Sequence, residues 1–284
     1  MSSIADLVDL DSYPIDDLGG AAGRALVDNC RDALRADGAV RLDSFVRGDA
    51  VRTMAAEAAR LAPLGFPNDA RHNCYFDDEV DESLPEDHPR RILVRSAQKA
   101  VAMDLLPSGF GARRLYDSDT ITRFVTAALE KDVLYPSADP LDGCNMTVYE
   151  QGDELGWHFD QSEFSVTLMI QRAERGGDFE YVPMVRTPDD ERYDDVRAVL
   201  LGQRERVKLL ASEPGTLAFF RGRYSLHRVP PVEGETPRMN SVLTYAAEPG
   251  HMLSAMAQQI YYGRTASDVP ANAKSPPTRK PPRT

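Results

Sequence analysis

The chain has 284 residues, 42% of them hydrophobic, which is enough for one sizeable core of the kind a single β-sandwich or barrel domain contains. A formal net charge of −12 argues against a nucleic-acid phosphate backbone as partner, while leaving room for a locally basic pocket. There is no run of about 18 apolar residues and no apolar segment near the acidic N-terminus, so neither a membrane span nor a signal peptide is expected. Cys30, Cys74 and Cys144 are far apart and lack zinc spacing, as in a reduced chain of the cytoplasm.

Residues 1–18 are acidic and read as irregular or loosely docked. Ala21 to Ala36 predicts an amphipathic helix, with Leu26, Val27, Cys30 and Leu34 forming its apolar stripe and Gly38 its stop. Residues 39–42 predict a short strand, and Asp49 to Leu61 a second helix with Asp49 as N-cap. Residues 63–90 carry no clear period and read as a long loop, of the kind that often serves function. Residues 91–95 predict a strand with Arg91, Leu93 and Arg95 on one face, and Asp117 to Glu130 a third helix. Strands are then predicted at 145–149, 178–182, 207–210, 216–220 and 241–246, with an exposed charged insertion at 187–206. Short strands with Gly and Pro turns imply a sandwich or closed β architecture. The expected organisation is one catalytic domain over 1–268, helical at about 20–135 and β-rich at about 140–248. A disordered tail follows at 269–284, since the last fifteen residues hold five Pro and four basic residues without an acid.

The stretch from Gly156 to Gln171 contains Trp157-His158-Phe159-Asp160 and then alternates like a strand. On a strand, residues i and i+2 share a face, so His158 and Asp160 point together and Phe159 points away. Of the five histidines, His227 lies near the end of another predicted strand beyond Gly222, and Arg238 follows eleven residues later. Two imidazoles and one carboxylate on one side of a metal leave three positions open, the arrangement of non-heme Fe(II) oxygenases. His-X-Asp alone is a common accident; its combination with His227 and Arg238 is not.

That order resembles the Fe(II)/2-oxoglutarate-dependent dioxygenases over roughly residues 145–248. A closer resemblance covers Gly-Asp-Glu-Leu-Gly-Trp-His-Phe-Asp (152–160), Gly-Gly-Asp-Phe-Glu-Tyr-Val-Pro (176–183) and Phe-Arg-Gly-Arg-Tyr-Ser-Leu-His-Arg-Val, which begins at Phe220. These look like a subfamily of radical halogenases and hydroxylases that act on free amino acids. The resemblance implies a mainly β fold with flanking helices, a double-stranded β-helix (jelly roll, cupin-like). It implies Fe(II) held by His158, Asp160 and His227, with 2-oxoglutarate and O2 as cosubstrates. Arg238 would clamp the far carboxylate of 2-oxoglutarate. Asn145 and Ser241 would lie beside the cosubstrate, although Asn145 reads equally well as satisfying a buried backbone group. Halogenating members carry Gly where this chain has Asp160, so hydroxylation is expected over halogenation.

On the substrate side, the resemblance makes Arg95 the anchor for a substrate carboxylate; an ordinary ion-pair role for Arg95 stays open. Gln161, Leu155 and Val242 occupy neighbouring positions that suit a side chain less charged than lysine. Tyr262 would close the pocket from the C-terminal side, and Arg223 would face it. Trp157 reads as core, and His72, His88 and His251 as loop histidines, with a lid position also open to His72. The expected partner is a small molecule, a free amino acid, with no nucleic acid and no membrane. Desaturation or cyclisation by the same chemistry, and a metal-binding cupin without oxygenase activity, are the alternatives.

Overall fold

The computed structural model describes residues 3–79 and 81–270. The chain begins with α1 (Ala21–Asp37), β1 (Ala39–Leu42), α2 (Gly48–Leu61), β2 (Phe66–His72) and β3 (Val94–Val101). Next come α3 (Gly111–Tyr116), α4 (Asp119–Ala128), β4 (Tyr135–Pro136), β5 (Cys144–Tyr149), β6 (Glu154–His158), β7 (Ser165–Gln171), β8 (Arg175–Gly176) and β9 (Phe179–Val182). It ends with α5 (Tyr193–Leu200), β10 (Lys208–Leu210), β11 (Leu217–Phe220), β12 (Leu226–Val229), β13 (Val232–Glu233), β14 (Arg238–Leu243), β15 (Tyr245–Ala246) and α6 (Ala255–Tyr262).

Eleven strands form one sheet in the order β1-β11-β7-β14-β5-β3-β6-β12-β9-β10, with β2 also on β3. Every pairing in it is antiparallel. β3 joins the two halves. Besides pairing with β2 along its length, it gives Ser96 and Ala97 to β6 and Lys99 to Val101 to β5. The sheet thereby folds over on itself into the double-stranded β-helix, and residues of both halves line one cavity.

Strand alternation divides the buried residues between two destinations. On β5, Cys144, Met146 and Val148 join the main core with the apolar faces of α1, α2 and α4. The intervening Asn145, Thr147 and Tyr149 line the cavity. A β-sheet covered by helices on one face and lining a cavity with the other reads as a nearly continuous buried run, and all six β5 residues are buried. α1 presents Val27, Cys30 and Leu34 at helical spacing and ends on Gly38 at φ 67°, the left-handed conformation that a helix C-terminus favours.

Several sequence expectations change. The segment 1–18 is firmly docked: Leu7, Val8 and Ile15 are buried, and Val8 bridges to Val46. The expected 63–90 loop contains β2, paired along its length with β3. The strand expected at 91–95 begins at Val94, because Arg91 and Ile92 donate their backbone N–H groups to His88 in a turn. The insertion at 187–206 contains α5, whose buried Val196 and Val199 pack with Trp157 and Phe159 in a second core cluster. Of the expected tail, Val269 is buried against Tyr262, and 271–284 lie outside the described residues. Among the described residues, no helix is long and apolar enough to cross a membrane.

Candidate metal centre and cosubstrate site

His158 is the last residue of β6, and His227 stands directly across from it on β12. Their ring centroids are 4.1 Å apart. Asp160 lies just past the end of β6, not within a continuous strand as the alternation suggested. Its direction is set by two backbone bonds: Phe159 N–H donates to Cys74 O at 2.9 Å, and Asp160 N–H to Gly222 O at 3.1 Å. Phe159 consequently turns into the Trp157 cluster and Asp160 turns inward. Gly222 is required here for space, since a Cβ at that position would collide with the Asp160 carboxylate.

Asp160 Oδ1 lies 3.5 Å from His158 Nε2 and 3.3 Å from His227 Nε2. Two ligand atoms each about 2.1 Å from one ion, at right angles, lie about 3 Å apart, so this spacing fits a shared divalent ion. The other nitrogens are fixed. His158 Nδ1 bonds Gly156 O and His227 Nδ1 bonds Ser225 O, both at 2.8 Å. A backbone carbonyl accepts only from a protonated Nδ1, which leaves each Nε2 lone pair facing the centre. Ser165 Oγ donates to Asp160 Oδ2 at 2.5 Å, holding the second carboxylate oxygen. Burial, aided by His227, pushes His158 down to about 4, so its imidazole is neutral and ready to ligate. Burial alone would raise the Asp160 carboxyl, but the facing His227 and His158 hold it well below the usual range. Among the described residues, these three are the His, Cys, Asp and Glu side chains grouped closely enough to hold a metal.

The centre opens into a cavity of about 270 Å³. Arg238, Asn240 and Val242 face it from β14, opposite Tyr149, Thr147 and Asn145 of β5. Arg238 is buried, its guanidinium lies 5.3 Å from the Tyr149 ring centre, and its Nε has no hydrogen-bond partner. Among the described residues no carboxylate lies within ion-pair distance of it; Asp178, paired with Arg172, acts on it only from farther off. Burial lowers its pKa, yet a guanidinium remains charged. A buried cation without a partner is costly, so the site fits an anionic group supplied from outside, such as the distal carboxylate of 2-oxoglutarate.

The remaining expected site residues divide sharply. Asn145, Leu155, Val242 and Tyr262 line the cavity. Ser241 does not: the alternation that turns Arg238, Asn240 and Val242 inward turns Ser241 into the packed interior on the other side. Arg95 is also absent from the lining. Its guanidinium makes two 3.0 Å bonds to Asp69 and one of 2.9 Å to Gly152 O, with Glu154 at 3.6 Å. Arg95 lies one residue out of phase with Gln98 and Ala100, the inward residues of β3. Arg223 donates to Gln161 O, and the two form an exposed pair outside the cavity. Tyr149 and Thr147, by contrast, follow from counting in twos along the predicted strand 145–149, and Asn240 from counting two on from Arg238. Asp142 and Gln98 also line the cavity, and local sequence gave no signal for either.

Fold and triad are those of a non-heme Fe(II)/2-oxoglutarate-dependent oxygenase. A family model described as Halogenase D (HalD) matches residues 23–259, and the chain belongs to that family. Among solved structures it is similar to AviO1 from Streptomyces viridochromogenes Tue57, with 18% identity, a TM-score of 0.54, and coverage of 80% of this chain and 97% of that one. It is similar to the epimerase SnoN in complex with Fe3+, alpha ketoglutarate and nogalamycin RO, at 17% identity and TM-score 0.54, covering 91% and 95%. A third is the carbocyclase SnoK from nogalamycin biosynthesis, at 12% identity and TM-score 0.54, covering 84% and 92%. At such identities the likeness is one of fold. No curated protein sequence matches the chain.

Proposed function

We propose that this chain hydroxylates an sp3 C–H bond of a free amino acid or a similar small zwitterionic metabolite. One oxygen atom of O2 enters the product and the other enters succinate, as 2-oxoglutarate loses carbon dioxide. We further propose that residues 1–268 act as one catalytic domain. The three buried free cysteines support a reducing compartment, the cytoplasm.

Asp160 carries this reading. Its carboxylate completes the triad, is braced by Ser165, and has the space left by Gly222. A halogenating centre needs one more position for a halide ion, and this chain fills that position with its own oxygen. His158, Asp160 and His227 would hold the iron, and Arg238 would hold the cosubstrate. Iron with 2-oxoglutarate and dioxygen supplies the oxidising power that breaks an unactivated C–H bond. The protein's part is to hold one C–H near the metal and keep bulk water away. Phe179, Phe220 and Leu155 form apolar lining suited to that exclusion.

The test begins with anaerobic Fe(II) and 2-oxoglutarate, which should give a weak visible charge-transfer band. Oxygen and a panel of free amino acids should then release succinate, with a product heavier by one oxygen. Metal binding without the band would favour a cupin without oxygenase activity. Loss of two hydrogens would mean desaturation or ring closure. The family description makes halogenation the second reading, and a chlorinated product in chloride buffer would establish it.

A further inference from the structure

The cavity is electrically lopsided. β14 and β5 run along it with Arg238 and Tyr149 at one end and Val242 and Asn145 at the other. Position 242 lies four strand steps from 238, roughly 13 Å. Beyond Asn145 lies Asp142, whose carboxylate also lines the cavity. Tyr262 donates to Asp142 Oδ1 at 2.6 Å and Asn145 to the same oxygen at 3.2 Å, while Thr244 donates to Oδ2 at 3.1 Å. These three donors fix the carboxylate in one orientation without supplying a cation. Asp142 takes part in no ion pair among the described residues, unlike the acids that occupy the surrounding arginines and lysines.

Among the described residues Arg238 is the one Lys or Arg side chain in the lining, and the cosubstrate reading assigns it to 2-oxoglutarate. The nearby cations are already engaged: Arg95 with Asp69 and Glu154, Lys99 with Glu150, and Arg264 with Asp104. A substrate carboxylate buried here would meet no positive partner, which is costly. A substrate ammonium would meet a preorganised carboxylate and form charge-assisted hydrogen bonds. Besides Arg238 Nε, a donor, the buried lining atom without a partner among the described residues is an acceptor, Gln98 Oε1 on β3.

We infer that the site selects its substrate by a protonated amine seated on Asp142, with no cationic side chain left to anchor a substrate carboxylate, so primary amines lacking an α-carboxylate are substrates. This rests on the oxygenase reading above and extends its substrate class from amino acids to simple primary amines. Gln98 accepts from a second donor on the same molecule. The cavity lies just below the usual range for small-molecule pockets and must also take the cosubstrate, so the amine is of metabolite size.

The test uses the full chain with Fe(II) and 2-oxoglutarate. A panel of aliphatic and aromatic primary amines is compared with the corresponding α-amino acids and with the N-acetylated amines, reading succinate release and product mass. The expected result is turnover of at least one amine, with kcat/KM for its parent amino acid no higher than for the amine itself and at least a hundredfold loss on N-acetylation. Asp142→Asn should then raise KM for that amine by a hundredfold or more and leave the anaerobic charge-transfer band unchanged. Should Asp142→Asn fail to fold, Tyr262→Phe and Gln98→Leu replace it, each with an expected tenfold weakening of amine binding by calorimetry. N-acetylated compounds turned over as well as free amines, a strict need for the carboxylate, or an Asp142→Asn protein with unchanged KM would each overturn the inference. So would a normal band with no amine turned over, which leaves the oxygenase reading standing. Absence of the band would instead remove that reading.

Discussion

At the scale of single residues, the iron ligands depend on neighbours that hold them in place. Asp160 reaches both imidazoles because Gly222 leaves room beside it. Gly222→Ala should displace the carboxylate and weaken Fe(II) binding by on the order of 10–100-fold, as lost support of a ligand typically does. The midpoint of urea unfolding should change little. Metal titration beside a denaturation curve checks both parts, and unchanged affinity would mean that Asp160 is not held by this contact. Arg238 makes a complementary case. As a buried cation without a carboxylate partner it stabilises the fold little, and replacing it with an apolar side chain of similar length relieves its desolvation. Arg238→Met should therefore fold with stability equal to or above that of the parent, yet lose 2-oxoglutarate affinity by more than about a hundredfold. A destabilised Arg238→Met protein that still bound the cosubstrate would reverse the assignment. These residues were legible in sequence because few side-chain types can perform their chemistry and their order along the chain is distinctive. For Arg95 the sequence left anchor and ion pair both open, because its partner Asp69 lies on a strand that sequence did not announce; the structure shows the ion pair.

At the scale of elements, legibility followed the contrast between faces. α1, α2 and α4 each bury one stripe and were readable to within a few residues. β2 was hidden because none of its seven residues is buried, so it has no apolar alternation to detect. α5 escaped for a related reason: only Val196 and Val199 of its eight residues are buried, within a heavily charged stretch. The end of α1 ties helix and metal centre together. Gly38 N–H caps Leu34 O, and Gly38 O accepts from Arg221 N–H in the turn before His227. With φ at 67°, Gly38→Ala should cost about 1 kcal/mol or somewhat more of stability. Iron affinity should stay within threefold, since Ser225, whose carbonyl orients His227, has its own bond to Arg221 O. Urea unfolding and metal titration together separate the two effects. A large loss of affinity with unchanged stability would show that the helix end aims the ligand directly.

Across the whole molecule, the sequence revealed a β-rich oxygenase but not how its sheet closes. That closure depends on β3 sharing itself between β5 and β6, a pairing between segments far apart in the chain. It also brings Asp142, in the turn before β5, into the cavity and under Tyr262 of the last helix. Burial raises the Asp142 carboxyl, and the buried Asp139 adds to this. The hydrogen bonds from Tyr262, Thr244 and Asn145 offset part of the rise, leaving it at about 6 against an ordinary 3.8. The folded chain thus holds this proton more tightly than the unfolded chain. Protonation contributes stability that is fully present below about pH 4 and is lost as pH rises through about 6. The difference between the two values corresponds to roughly 2–3 kcal/mol. Asp142→Asn abolishes that titration. Its stability relative to the parent should therefore improve by up to this amount between pH 4 and pH 7, as measured by urea unfolding at each pH. A bound ammonium reverses the preference by stabilising the ionised form. Amine affinity in the parent should accordingly rise between pH 5 and pH 7 and level off above, where the amine is still protonated and the carboxylate is fully charged. A parent whose stability difference from Asp142→Asn stayed constant across this range would place the carboxylate in open solvent, and with it the polarity assigned to the cavity would fail.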